Sequence, residues 1–256
     1  MKRTGYVILG LVVLAAALSA VWTPYDPLQA DPAARLEGAS WRHWMGTDEL
    51  GRDELSRVMA GARLTVLVVL GAVGLSALVG VPLGIWAGMR RGAGRAITAA
   101  SDLLLAFPAL LLAIVFTAIF GASIWIVVLA IGIAGIPGFV RVARVGTLQV
   151  MSRDYILAAR MARVTGPTIA ARHVLPNIAH LLATQATVAA ALAILAEAGL
   201  SFLGLGAPAP YASWGRMLQA SQPYLATSWH LALWPGIAIA ATVLACNLIG
   251  GARDRR

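Results

Sequence analysis

Residues 64–89 read LTVLVVLGAVGLSALVGVPLGIWAGM, an apolar run without one charged side chain. About 20 such residues in a helix cross the roughly 30 Å hydrocarbon core of a bilayer, because each adds roughly 1.5 Å. The pattern recurs: residues 5–25, 103–140, 177–196 and 217–252 are equally free of Asp, Glu, Lys and Arg. Only 12% of the chain is charged and 59% is hydrophobic, against about a quarter charged in a soluble domain. Five uncharged runs of this length leave a soluble fold no way to solvate itself. The sequence therefore reads as an all-α, polytopic membrane protein.

Residues 103–140 are too long for one span and divide at Gly121-Ala122-Ser123. In the last run Gln219, Ser221, Gln222 and Pro223 are polar or helix-breaking, which leaves 231–250 to cross. Six transmembrane helices are expected, near 5–22, 64–89, 103–120, 124–140, 178–199 and 231–250. Basic residues stay on the cytoplasmic side. With both termini inside, fourteen of the 20 Lys and Arg residues fall on inner segments, and six (Arg35, Arg42, Arg52, Arg57, Arg63 and Arg216) fall outside. An odd number of spans would export one basic terminus. The net charge of +9 is thus explained by topology, and no nucleic-acid partner is needed. Lys2-Arg3 before an apolar run, with Ala17-Leu18-Ser19 beyond it, also fits a cleaved signal peptide weakly; a retained first span is the preferred reading. The expected location is the cytoplasmic membrane.

Two segments interrupt the apolar pattern. Residues 23–63 hold Pro24, Pro27, Pro32 and seven of the eleven acidic residues, and read as an outer loop with a short helix over 54–62. Residues 141–177 form the long inner segment, with short helices expected over 154–163 and 167–175. Val164-Thr165-Gly166 separates them, Pro167 suits a first helical turn, and Leu175-Pro176 closes the element. Gly80, Gly84 and Gly88 make a small-residue stripe that permits close helix contact, and Pro82, Pro108 and Pro137 read as tolerated kinks within spans or near their ends.

Catalytic chemistry is missing. The one lysine is Lys2, so no Gly-Lys-Ser/Thr phosphate loop exists and ATP cannot be hydrolysed here. His43, His173, His180 and His230 lack ligand spacing, no nucleophile–base pair can be argued, and the lone Cys246 excludes an internal disulfide. No cofactor or metal is expected on this chain. Glu197 lies toward the outer end of the fifth span, where an ionisable group is costly and usually faces protein or water. It reads either as a pore or gate residue, with Ser201, or as a structural carboxylate tied to the turn at 201–206. Asp102 reads as an interfacial group near Arg95.

Three groups of motifs resemble one family. The first is Gly46-Thr47-Asp48-Glu49-Leu50-Gly51-Arg52-Asp53 with Leu55-Ser56-Arg57 and Gly61-Ala62-Arg63. The second is Glu197-Ala198-Gly199-Leu200-Ser201-Phe202-Leu203-Gly204-Leu205-Gly206 with Pro210 and Ser213-Trp214-Gly215, followed by Trp234-Pro235-Gly236 and Asn247-Leu248-Ile249-Gly250. The third, Tyr155-Ile156-Leu157-Ala158-Ala159-Arg160 through Arg172-His173-Val174-Leu175-Pro176-Asn177, resembles the loop by which ABC importer permeases dock on their ATPase. The ordered set, from about residue 24 to 253, is similar to permease subunits of dipeptide, oligopeptide and nickel importers.

That resemblance implies a type I ABC importer permease fold. Residues 1–63 would be the first helix and outer loop, and 64–256 the permease domain, with its coupling loop at 141–177. It implies a homologous permease as heterodimer partner, ABC ATPase subunits carrying ATP and magnesium, and an extracytoplasmic substrate-binding protein. The coupling residues would be Tyr155, Ala158, Ala159, Arg160, Arg163, Gly166, Arg172 and Pro176; Asp48, Arg52 and Asp53 would shape the surface that receives the binding protein. The docking face is expected along Ile156, Ala159, Arg160 and Arg163. Two departures stand out: Leu157 where the pattern has Glu, and Arg163 where it has Gly. Peptides are the expected cargo, with nickel or a metal chelate as the alternative. An ATP-independent secondary transporter would call for inverted repeats and paired mid-membrane charges, and a membrane enzyme for clustered polar residues at one interface; neither pattern is found.

Overall fold

The computed structural model describes residues 2–208 and 210–251. Arg253, Arg255 and Arg256, counted among the inner basic residues, lie outside them. The described chain is helical: α1 (Lys2–Leu18), α2 (Glu54–Met89), α3 (Arg91–Leu105), α4 (Ala109–Phe120), α5 (Ile124–Met151), α6 (Asp154–Met161), α7 (Gly166–Ile169), a π turn (Ala170–Val174), α8 (Leu175–Phe202), α9 (Trp214–Ser221) and α10 (His230–Gly251). Among the described residues the only β pairing is an isolated bridge between Thr47 and Asp53.

Four helices are long and apolar enough to cross a membrane: α2, α5, the continuous stretch Gly166–Phe202, and α10. A bent pair, Gly94–Leu105 with Ala109–Phe120, makes a fifth if it counts as one span. The span expected over 103–120, with Pro108 as a tolerated kink, is therefore corrected to two helices with a break between them. The cause is Pro108, whose ring pushes Phe107 out of helical geometry. The Ala106 N–H closes α3 on the Asp102 and Leu103 carbonyls, and α4 restarts beyond the proline with its axis turned by 78°. At 12 residues, α4 is roughly 18 Å long and cannot cross alone. Asp102 meets Arg141 at 3.5 Å, not Arg95, in an exposed pair.

The inner segment is more helical than expected. α5 runs on from 140 to Met151, because Ala143, Gly146, Thr147 and Val150 repeat at helical spacing and are all buried. The second inner helix does not stop at Leu175-Pro176 either. Proline lacks an N–H and its ring collides with the carbonyl four residues back. The widened π turn absorbs this, with the Leu175 N–H bonded to the Ala170 carbonyl. α7, the turn and α8 thus form one continuous helical rod, Gly166–Phe202, long and apolar enough to cross a membrane.

Burial is organised in three layers. One apolar cluster joins α2, α4, α5 and α8 around Val68, Val127, Ile131 and Leu200. A second gathers α1, α2, α8, α9 and α10 around Ile194, Trp214 and Cys246. The third, at the inner end, ties Ile156 of α6 and Ile169 of α7 to Ile85, Val150, Val174 and Ile178. The α2–α5 seam is the most extensive helix pairing. Gly80, Gly84 and Gly88 lie along it, each against α5.

Candidate coupling loop and outer cluster

The outer loop folds back on itself through two buried carboxylates. Asp53 caps α2: its Oδ2 accepts from the Ser56 N–H at 2.8 Å and the Ser56 hydroxyl at 2.7 Å, and its Oδ1 lies 2.9 Å from His43 Nδ1. Such a cap satisfies donors that a helix start leaves free. Asp48 Oδ1 accepts from the Leu50 and Arg52 N–H groups at 2.8 and 2.9 Å. Its Oδ2 sits 2.7 Å from Arg52 Nε and 3.2 Å from Arg57 Nε, while Arg57 Nη1 donates to the Pro27 carbonyl at 3.1 Å. The structure pairs Asp48 with Arg52, whereas the Asp53 side chain engages Ser56 and His43 instead, and both carboxylates are buried. They shape the loop from within; the part that reaches solvent is the Arg52–Glu49 edge. Sequence reasoning did not assign His43 and Ser56 to Asp53 or Arg57 to Asp48, although Asp53 three residues before Ser56 is a readable cap signal.

Glu197 and Ser201 also point inward. Glu197 is 1% exposed, and the Ser201 hydroxyl donates to its Oε1 at 2.7 Å. Ser213 and Trp214, at the start of α9, are also buried, and the Trp214 indole N–H donates to the Val58 carbonyl at 2.9 Å. The Ser201–Glu197 bond lies within α8, four residues apart, and the second carboxylate oxygen of Glu197 is buried with no hydrogen-bond partner among the described residues.

At the inner side α6 presents a different face from the one expected. Ile156 is 1% exposed and anchored in the inner cluster, so it cannot meet a partner, and Ala159 is half-buried with it. An isoleucine that reaches apolar neighbours gains about 1.5–3 kcal/mol by burying its side chain, which fixes the roll of this short helix. The outward stripe is Leu157, Ala158 and Met161, with Leu157 61% and Met161 80% exposed. Tyr155 faces His173 with ring centroids 6.1 Å apart. Arg160, Gly166, Arg172 and Pro176 are exposed around this stripe.

The turn after α6 explains the glycine in the family pattern. Arg163 has φ of 55°, its N–H bonds to the Arg160 carbonyl, and the Val164 N–H bonds to the Ala159 carbonyl, both at 3.0 Å. This is a Schellman close, whose left-handed position favours glycine. An arginine there costs about 1 kcal/mol or more in backbone strain. Arg163→Gly should therefore raise the thermal unfolding midpoint by about 2–4 °C, and Arg163→Asn by less. A midpoint at or below wild type for both would refute the strain.

A family profile described as the binding-protein-dependent transport system inner membrane component matches residues 80–252. The chain belongs to that family. It is a multi-pass membrane permease subunit of ABC importers. Relatives extend over nearly the whole length of this permease. The di/tripeptide transport system permease protein DppC of Pseudomonas aeruginosa is 41% identical over 253 residues, covering 95% of this chain and 84% of that protein. The glutathione transport system permease protein GsiD of Pectobacterium atrosepticum is 39% identical over 252 residues, with 96% and 84% covered. Among solved structures, the inward-facing MetNI methionine ABC transporter shares the fold, with a TM-score of 0.62 at 16% identity over 78% of this chain and 94% of that one.

Proposed function

We propose that this permease is one half of a heterodimeric pore through which an ATP-driven importer moves short peptides into the cytoplasm. The observation that carries the cargo is the likeness to a di/tripeptide permease along 95% of the chain. The Leu157–Ala158–Met161 stripe would rest on an ABC ATPase that holds ATP and magnesium. ATPase closure would then move α6, and the continuous α7–α8 lever would carry that motion into the membrane. The outer loop would receive the substrate-binding protein.

Both termini would be cytoplasmic, and α1 would serve as the sixth span with the bent pair counted as one. Exposed Trp22, Trp125 and Trp229 stand near the proposed outer ends of α1, α5 and α10. Tryptophans gather at such interfaces. The test is uptake by the assembled importer in proteoliposomes. ATP-dependent accumulation of a labelled dipeptide is expected; ATP-dependent nickel uptake with no peptide accumulation would overturn the cargo.

A further inference from the structure

α8 leaves one face uncovered, and its character changes with depth. Toward the inner end this face carries Asn177, His180 and Thr184; toward the outer end it carries Val188, Leu192 and Leu195. Beside Thr184, Gln185 reaches into a cleft of about 180 Å³ between α2, α5 and α8, with Ser76, Gly135, Gly138, Ala189 and Ala193 among its walls. Gly138 makes room for the amide: a Cβ there would lie 2.6 Å from Gln185 Nε2. The Ser76 hydroxyl is already engaged, 2.6 Å from the Gly132 carbonyl. Among the described residues the Gln185 amide has no hydrogen-bond partner.

Taking the span as 178–199, Gln185 sits roughly 5 Å from its middle. An unpaired amide facing hydrocarbon at that depth is costly, whereas water or a polar solute satisfies it. That cost favours a cleft that opens on water or a polar solute over one that opens on lipid. We propose that the cleft is this chain's share of the solute path, and that Gln185 reads the peptide bond of the cargo. A carboxamide offers an acceptor and two donors, the complement of a backbone C=O and N–H. The walls add no charge and are otherwise largely apolar, with Val73, Leu105, Ile131 and Leu192 among them, so recognition of this kind would read the backbone and select no particular charged side chain. The cleft offers neither imidazole nor carboxylate to a metal ion. The amide-reading part rests on the peptide cargo proposed above; the aqueous path does not.

Two measurements on the assembled importer separate these parts. In a Cys246→Ala background, Gln185→Cys should react with a charged, membrane-impermeant thiol reagent, and saturating dipeptide should slow the reaction. Val7→Cys, on the exposed face of α1, should stay unreactive. Failure of Gln185→Cys to react, with or without ATP, would make this face a dry interface and overturn the path. In the second arm Gln185→Leu should lower the maximal rate of dipeptide uptake about tenfold, the loss of a hydrogen bond or two, while Gln185→Asn should retain most of it. Wild-type rates in Gln185→Leu would overturn peptide-bond recognition. If the unmodified importer moves nickel and no peptide, the cargo reading fails, and the labelling result still decides the path.

Discussion

An importer carrying Leu157→Asp and Met161→Asp is expected to lose its ATPase and nearly all ATP-driven uptake while the permease stays folded. Both side chains are largely exposed on α6, so neither change removes a core contact. Covering two such apolar groups with a partner is worth about 1.5–3 kcal/mol each. Replacing them with carboxylates forfeits that gain and leaves charges to be desolvated in the interface. A weakening of ATPase association by roughly 100-fold or more follows. The contrast is Ile156→Asp on the same helix: it places a carboxylate in the inner cluster and should reduce folded protein itself. Copurification of the ATPase and transport rates measure the first effect, and the yield of monodisperse permease measures the second. Normal copurification and uptake in the double variant would remove α6 as the docking element.

The two outcomes expected along α6 show how far sequence carries. Residues 64–89 and 231–250 announce spans because each offers many apolar residues and no charge, and the helices there follow. An eight-residue helix offers only a few apolar positions. Ile156, Leu157 and Met161 fit more than one face, and only the surrounding core selects Ile156 as the inward one. The Asp53 cap could be read from Asp53 and Ser56, but His43 arrives from ten residues away by tertiary folding. The break at Pro108 was legible as a kink, while its 78° turn depends on what α4 packs against. At Pro176 the same chemistry gives the opposite outcome, since one widened turn keeps the helix whole. Gln185 escaped notice because a single uncharged amide hardly alters the hydropathy of a span. Its meaning comes from Gly138 on another helix.

The largest effect on the fold is expected at Gly84. A Cβ there would lie 2.5 Å from the Val140 carbonyl oxygen and 2.6 Å from Ala143 Cβ, where carbon contacts normally settle near 3.5–4.0 Å. The obstacles are the backbone and the first side-chain carbon of α5, which no rotamer change can move. The two helices must separate by on the order of 1 Å, and the seam extends a turn beyond on either side. A Cβ on Gly80 would come within 2.7 Å of Phe139 Cβ, and one on Gly88 within 2.6 Å of Thr147 Cβ. A wedge at the centre therefore loosens all three contacts. Gly84→Ala should destabilise the permease by about 1–3 kcal/mol, and Gly84→Val should leave little folded protein. On the same helix a Cβ at Gly74 would meet nothing within 4 Å, so Gly74→Ala should be neutral or stabilising by up to about 1 kcal/mol. Thermal unfolding in detergent distinguishes the pair, because intrinsic helix preference raises both midpoints and only the seam lowers one. If Gly84→Ala melts at or above wild type, α2 and α5 are not held at glycine distance.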